Sequence, residues 1–232
     1  LHLSIRRQRQ MCIRDRYSYT MNLNSSFTGD DNLYVRIKTG NHNDTFADDK
    51  QYGTYLSSAK DSGSALKVDK IWYQFPVGEN NTIWVGPKIE NYYMHGTSPS
   101  IYKPITKQFT LGGNGEAYGA STDTGAGWAY KADNGFAISS NFGTKSTTTS
   151  TISTGLLTDE SKTSWATQVG YTQPQYSVSA IVNQKYNAWT DSYFTTSAGK
   201  ARGGEGSSTN IGLRGWRRPA ETGGVTPSIS VG

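Results

Sequence analysis

Between Val68 and Glu90 the chain alternates apolar and polar residues twice, across the polar turn Gly78-Glu79-Asn80-Asn81. In the first run Ile71, Tyr73 and Phe75 oppose Lys70, Trp72 and Gln74. In the second, Ile83, Val85, Pro87 and Ile89 oppose Thr82, Trp84, Gly86, Lys88 and Glu90. Successive side chains of a strand point to opposite faces, so the spacing predicts a β-hairpin with one oily and one wet face. The wet face carries charges and tryptophans, which suits the wall of a water-filled barrel. Between Val68 and Ile71 the alternation slips by one residue, which predicts a bulge or a late strand start.

The same period recurs along the chain. Met21, Leu23 and Phe27 form a first apolar set, and Leu33, Val35 and Ile37 oppose Tyr34, Arg36 and Lys38. Trp128 and Tyr130 precede the turn Ala132-Asp133-Asn134-Gly135, where Asn-Gly is a strong hairpin signal, and Phe136 and Ile138 follow it. Trp165, Val169 and Tyr171, then Val178, Ala180 and Val182, then Ile211 and Leu213, then Ile229 and Val231 complete about ten strands. Connections alternate: tight near 29–31, 77–81, 132–135 and 172–175, long near 40–63, 95–120, 143–163 and 185–208. In an up-and-down meander this puts every long loop at one end, as in membrane barrels. Aromatic residues near strand ends fit the girdles of such barrels. The expected fold is therefore all-β, an antiparallel up-and-down transmembrane β-barrel, incomplete here. The alternative is a soluble secreted β-sandwich that binds glycans or acts as an adhesin.

Composition agrees with strands. Among 232 residues, 34% are hydrophobic and 18% charged, with 26 glycines, a low apolar share for a packed core of this length. The net charge of +5 is concentrated in residues 1–17, where five arginines meet Asp15 alone. That stretch shows no strand alternation and reads as a non-native tail, leaving residues 18–232 as a partial barrel domain. The remainder is close to neutral and carries no nucleic-acid motif, so no nucleic-acid partner is expected. Cys12 is the sole cysteine and lies in the tail. No apolar run reaches the length of a membrane helix, although barrel strands need only alternating segments.

Catalytic chemistry is not legible. His2, His42 and His95 are scattered, Asp48 and Asp49 sit in a polar loop, and Gly112-Gly113-Asn114-Gly115 lacks the context of a phosphate loop. No enzyme activity, cofactor or metal site is expected. The candidate functional residues are the wet-face set Tyr34, Arg36, Lys38, Lys70, Trp72, Trp84, Lys88, Glu90 and Arg214. Charges on a dry face would cost several kcal/mol each unless paired, whereas on a lumen they bias which solutes pass. Between His95 and Ala120, prolines rule out a regular strand. Ile101, Tyr102, Ile105, Phe109 and Leu111 are nevertheless too apolar for a solvated loop, which predicts a segment folded back on something.

The segments KVDKIWYQFPVG, TIWVGPKIENYYM, SPSIYKPITKQF and LGGNGEAYGAST resemble cyanobacterial outer-membrane porins, the iron uptake porins of the carbohydrate-selective porin family. MNLNSSFTGDDNLYVRIKTGN, GLLTDESKTSWATQVGY and VTPSISVG resemble other barrel strands of that family. The resemblance implies a channel in the cell outer membrane for passive diffusion of small hydrophilic solutes and inorganic ions, with carbohydrate transport or iron uptake. It implies outer-membrane lipid as surroundings, homo-oligomers, and peptidoglycan contact only through an N-terminal domain outside this stretch. It also implies a larger barrel, of which this chain is a fragment. Residues 98–109 would form an inward constriction loop, placing Tyr102, Lys103 and Lys107 near the pore.

Overall fold

The computed structural model describes residues 17–42, 60–101, 115–119, 124–145, 162–186, 207–219 and 227–232. The proposed tail lies outside these except for Tyr17, whose N–H donates to Asn41 Oδ1 at 2.8 Å and so belongs to the fold. The first hairpin joins β1 (Ser18–Ser25) to β2 (Asn32–His42). A two-residue strand, β3 (Lys60–Asp61), pairs with the far end of β2. The hairpin read from the sequence follows as β4 (Lys67–Val77) and β5 (Asn81–Lys88). A 3-10 turn (Asn91–Met94) and a single helical turn, α1 (Gly115–Tyr118), lie between β5 and β6 (Thr124–Lys131). β7 (Phe136–Lys145), β8 (Lys162–Gln173), β9 (Tyr176–Tyr186), β10 (Ser208–Arg217) and β11 (Ile229–Val231) complete an eleven-stranded sheet.

Every pairing is antiparallel, and apart from β3 the strands lie side by side in chain order. The all-β meander is thus present, with tight turns at one end and long connections at the other. Among the described residues the sheet is open: β1 pairs only with β2, and β11 only with β10. No helix among the described residues is long and apolar enough to cross a membrane, which says nothing of a β-barrel.

The two faces have inverted polarity. On β8 to β10 the large apolar residues Trp165, Val169, Val178, Val182, Ile211 and Leu213 are exposed. On the same strands Ser164, Gln168, Ser177, Asn183, Lys185 and Arg214 are buried, beside Ala166, Ile181 and Trp216. Within β10, Leu213 is 71% exposed while its neighbour Arg214 is 5% exposed. A water-soluble sheet shows the opposite order, apolar residues inward and polar ones outward.

Two register shifts tune this pattern. Arg36 faces Lys70 and Ile37 faces Val68, so Asp69 is an extra residue on β4, where the sequence slips. The second shift was not read from the sequence. Ile71 faces Lys88 while Tyr73 faces Val85, so β5 carries an extra residue around Gly86 and Pro87. Proline has no N–H for the ladder, and bulges tolerate it. Lys88 therefore shares the outward face of Ile71 and is exposed, while Ile89 turns inward and is fully buried. The expectation that placed Lys88 on the wet face and Ile89 on the oily one is corrected by this phase change.

The tight turns rest on specific chemistry. Asp31 accepts from Ser26 Oγ at 2.6 Å, Thr28 N at 2.8 Å and Tyr73 OH at 2.6 Å, closing the β1–β2 turn. These bonds, Ser26 foremost and then Tyr73, hold its carboxyl well below the usual carboxylate range. Gly135 adopts φ +93°, and a Cβ there would lie 2.2 Å from Thr172 O of the neighbouring hairpin. Both the conformation and the space demand glycine. Gly135→Ala is expected to destabilise the refolded protein by about 1–3 kcal/mol, whereas Asp133→Ala in the same exposed turn leaves it unchanged. Urea unfolding followed by tryptophan fluorescence measures both.

Candidate functional site

The polar face is covered by the chain itself. After Lys88 the backbone leaves the sheet and runs back over it through residues 89–101, and residues 115–119 return beside it. Glu90 binds Arg36 of β2, while Ser100 Oγ lies 3.2 Å from Ser230 Oγ of β11. Eight strand spacings separate those two strands, about 38 Å across a flat sheet. The segment thus crosses most of the width of the polar face, from β2 to β11.

Small residues make room for it. Along the inward face of β6 stand Gly125, Gly127 and Ala129. A Cβ on Gly125 would meet Ile89 at 2.7 Å, and one on Gly127 would meet Met94 Sδ at 2.6 Å. Ile89 and Met94 pack with Trp72, Trp84 and Ala129, and Tyr34 lies against this group. Tyr34 stacks on Trp72 at 4.0 Å between ring centroids and donates from its hydroxyl to Asn22 Oδ1 at 2.7 Å. Trp84 donates from Nε1 to Gln74 Oε1 at 3.0 Å. Both tryptophans lie on the polar face as expected, but at 4% and 5% exposure they are floor beneath the inward segment, not open lining.

Beside them lies an ion-pair network. Arg36 reaches Asp69 Oδ2 at 2.7 Å and Glu90 Oε2 at 3.1 Å, and donates from Nη1 to Tyr93 OH at 2.9 Å. Lys70 Nζ lies 3.5 Å from Glu90 Oε1. Lys38 and Lys60 flank Asp69, at 3.5 Å from Oδ2 and 3.3 Å from Oδ1. The Asp69 bulge turns that carboxylate to the cationic face, a recognised use of bulges. Tyr92 also donates to Glu90, and burial together with that carboxylate raises its hydroxyl well above the ordinary phenol range. Asp69, Tyr92, Tyr93 and Lys60 were not singled out from the sequence. The slip at Asp69 was visible there, but its partners were not.

A second, neutral network anchors the segment to β7 and β8. Gly96 N donates to Ser139 Oγ at 3.0 Å. The Gln168 amide pairs with the backbone of Thr97 as a strand would, accepting from its N–H at 3.0 Å and donating to its carbonyl at 3.3 Å. Tyr118 OH donates to the same Thr97 carbonyl and accepts from Gln168 Nε2 at 3.1 Å. Burial pushes this hydroxyl up to about 12, so it remains protonated. Arg214 of β10 sits 3.9 Å over the Tyr118 ring, a cation–π geometry. The expected lining residue Arg214 is thus buried against the inward segment.

His95 links the parts. Its Nε2 lies 2.7 Å from the Tyr118 carbonyl and its Nδ1 lies 3.1 Å from Asn141 Nδ2. A carbonyl accepts and an amide nitrogen donates, so the ring is neutral with its proton on Nε2. Burial lowers its pKa to about 4. Among the described residues no group of three or more His, Cys, Asp or Glu side chains could hold a metal. Tyr102, Lys103 and Lys107 lie outside the described residues. Of the apolar residues expected to fold this region back, Tyr102, Ile105, Phe109 and Leu111 lie outside the described residues and Ile101 is exposed; the described stretches lie against the polar face through Thr97 and Tyr118 instead.

No protein-family model and no curated protein matches the chain.

Two outcomes are expected. A histidine whose folded pKa is depressed stabilises the fold fully above its unfolded value near 6.5 and loses that contribution as pH falls towards 4. Docking of the segment should therefore weaken by about 3 kcal/mol across that window, seen as falling hydrogen-exchange protection at the Gly96 and Thr97 amides. His95→Gln should flatten this dependence. Separately, Glu90→Gln leaves Arg36 and Lys70 without their shared carboxylate and should cost about 3 kcal/mol in urea unfolding, whereas Glu79→Gln in an exposed turn should cost nothing measurable.

Proposed function

We propose that this chain is part of the wall of an outer-membrane porin, a channel for passive diffusion of small hydrophilic solutes and ions. The observation that carries the reading is the inverted sheet, with Leu213, Ile211, Val182 and Val178 exposed and Arg214, Asn183, Lys185 and Ser177 covered. Lipid suits the exposed face and water the other. The porin-like segments of the sequence point the same way.

Strand dimensions add support. β2, β4, β7, β8, β9 and β10 run 10–12 residues, close to what a tilted membrane strand needs. Exposed aromatic residues mark both ends: Tyr19, Trp165 and Tyr186 towards the long connections, Phe136 and Tyr176 towards the tight turns. On β9, Tyr176 and Tyr186 are about 33 Å apart along the strand. At a tilt of about 40° that spans roughly 25 Å of height, the thickness of the apolar band of such barrels. A soluble sandwich would need a second sheet over the apolar face, and among the described residues nothing covers it.

In this reading residues 89–101 narrow the lumen from within. The wall is completed by strands that pair with the open edges at β1 and β11. Transport is downhill and involves no catalytic step, and whether sugars or iron pass is a matter of what the constriction admits.

The full chain refolded in detergent should run as a heat-modifiable band and give stepwise conductance in planar bilayers. Val182→Arg, at the middle of the proposed lipid face, should cost about 2–4 kcal/mol of insertion, whereas Ser177→Arg on the covered face should not impair insertion. A protein that stays monomeric and soluble without detergent, or indifference of insertion to Val182→Arg, would overturn the reading.

A further inference from the structure

At the long-connection end of the polar face, basic residues outnumber acids. Arg36, Lys38, Lys60, Lys67 and Lys70 gather around Asp69 and Glu90, a local excess of three positive charges among the described residues. Asp61, next to Lys60, accepts from Gly63 N at 3.1 Å. Lys38 and Lys67 are direct cross-strand partners on β2 and β4, and like charges placed so repel. Of the three outer lysines, Lys38 and Lys60 share the Asp69 carboxylate with Arg36, and Lys67 stands opposite Lys38.

The two inner cations are already used. Arg36 and Lys70 are buried, and their described ion pairs go to Asp69 and Glu90. The outer three differ. The side chains of Lys38 and Lys60 are 24% and 29% exposed, and Lys67 is exposed. Lys38 and Lys60 approach opposite oxygens of Asp69, which holds the two ammonium groups close together. Each ammonium has three donors, and one carboxylate cannot satisfy them all.

We propose that Lys38, Lys60 and Lys67 form a binding site for a small doubly charged tetrahedral oxyanion, of the phosphate or sulfate class. Such an ion offers several acceptor oxygens at once, so it can bridge ammonium groups that a halide meets one at a time. It also relieves the Lys38–Lys67 repulsion. Asp69, which also pairs with Arg36, serves as the positioning residue, holding the Lys38 and Lys60 ammonium groups beside each other. The site lies where β2, β3 and β4 meet the long connections. If the chain is a porin this is a mouth of the channel, and the lysines would concentrate anions at its entrance; that use rests on the porin reading, while binding itself does not.

The full chain refolded in detergent is titrated calorimetrically with inorganic phosphate, sulfate and chloride at pH 7.5 and fixed low ionic strength. Saturable one-to-one binding of phosphate, displaced by sulfate and not by chloride, is expected. Lys38→Gln/Lys60→Gln should weaken it at least tenfold. Should that variant not refold, the exposed Lys67→Gln alone should weaken it several-fold. A sugar monophosphate included as a fourth ligand distinguishes a free inorganic anion from the phosphoryl group of a larger solute. Absence of saturable phosphate binding, equal response to chloride, or unchanged affinity in the variants overturns the site. Binding without bilayer conductance leaves the site standing and sinks the porin reading; conductance without binding does the reverse.

Discussion

The Arg36 guanidinium lies on the covered face, where a buried charge without a counter-charge costs several kcal/mol. Its counter-charges reach it through two irregularities of the sheet. The bulge at Asp69 turns one carboxylate from β4 to the cationic face. The phase change around Gly86 and Pro87 sends Ile89 inward and leaves Glu90 beside Arg36 and Lys70. The second event also sets the course of everything after β5. A chain that leaves its strand pointing inward, pinned by Glu90, runs over the polar face instead of away from it. The covered floor of Trp72 and Trp84 follows from that course.

The wall in turn is shaped to receive the segment. Gly125, Gly127 and Ala129 leave a trough for Ile89 and Met94, and Gly170 leaves room for Thr97. The wall offers few apolar partners beyond this trough, so the segment is fastened mainly by amides and hydroxyls: Ser139, Gln168, Asn141 and Tyr118. A polar face can be buried at low cost only when nearly every donor and acceptor finds a partner. The Gln168 pairing with the Thr97 backbone is the clearest case, a side chain standing in for a missing strand.

Much of this architecture is legible in the amino-acid order, and the illegible part has identifiable causes. Period-two alternation marks the strands and their faces because one face carries apolar residues and the other polar ones. Asn134-Gly135 marks its turn because few residues tolerate that conformation. The slip before Ile71 is visible because a lysine and a valine change places in the pattern. The shift at Gly86 and Pro87 is hidden because proline passes as an apolar member of the run Ile83, Val85, Pro87, Ile89, although its missing N–H argues against a regular ladder there. The anchors His95, Ser139, Asn141, Gln168 and Tyr118 escape for a different reason. Polar residues on a polar face carry no periodic signature, and their partners lie 21 to 71 positions away in the chain. Burial of Trp72 and Trp84 depends on such distant contacts as well.

The polar face is not uniform, and the difference bears on how firmly the segment is held. Its first half, on β2 and β4, is charged; its second, on β7 and β8, binds through neutral groups. The segment crosses from one to the other between Glu90 and Thr97. Breaking a buried ion pair costs about 3–5 kcal/mol, whereas a neutral hydrogen bond contributes about 1 kcal/mol net. The Glu90 end is therefore the fixed one, and the stretch through Gly96 and Thr97 is held by several weaker bonds whose donors and acceptors water could replace. His95 sits between the two regimes. Its neutral ring ties Asn141 on the wall to the Tyr118 carbonyl, and Arg214 lies on the other side of Tyr118. A proton added to that ring removes the acceptor for Asn141 and brings a second positive charge close to Arg214. The weaker end of the segment is thus the end whose grip depends on a titratable group.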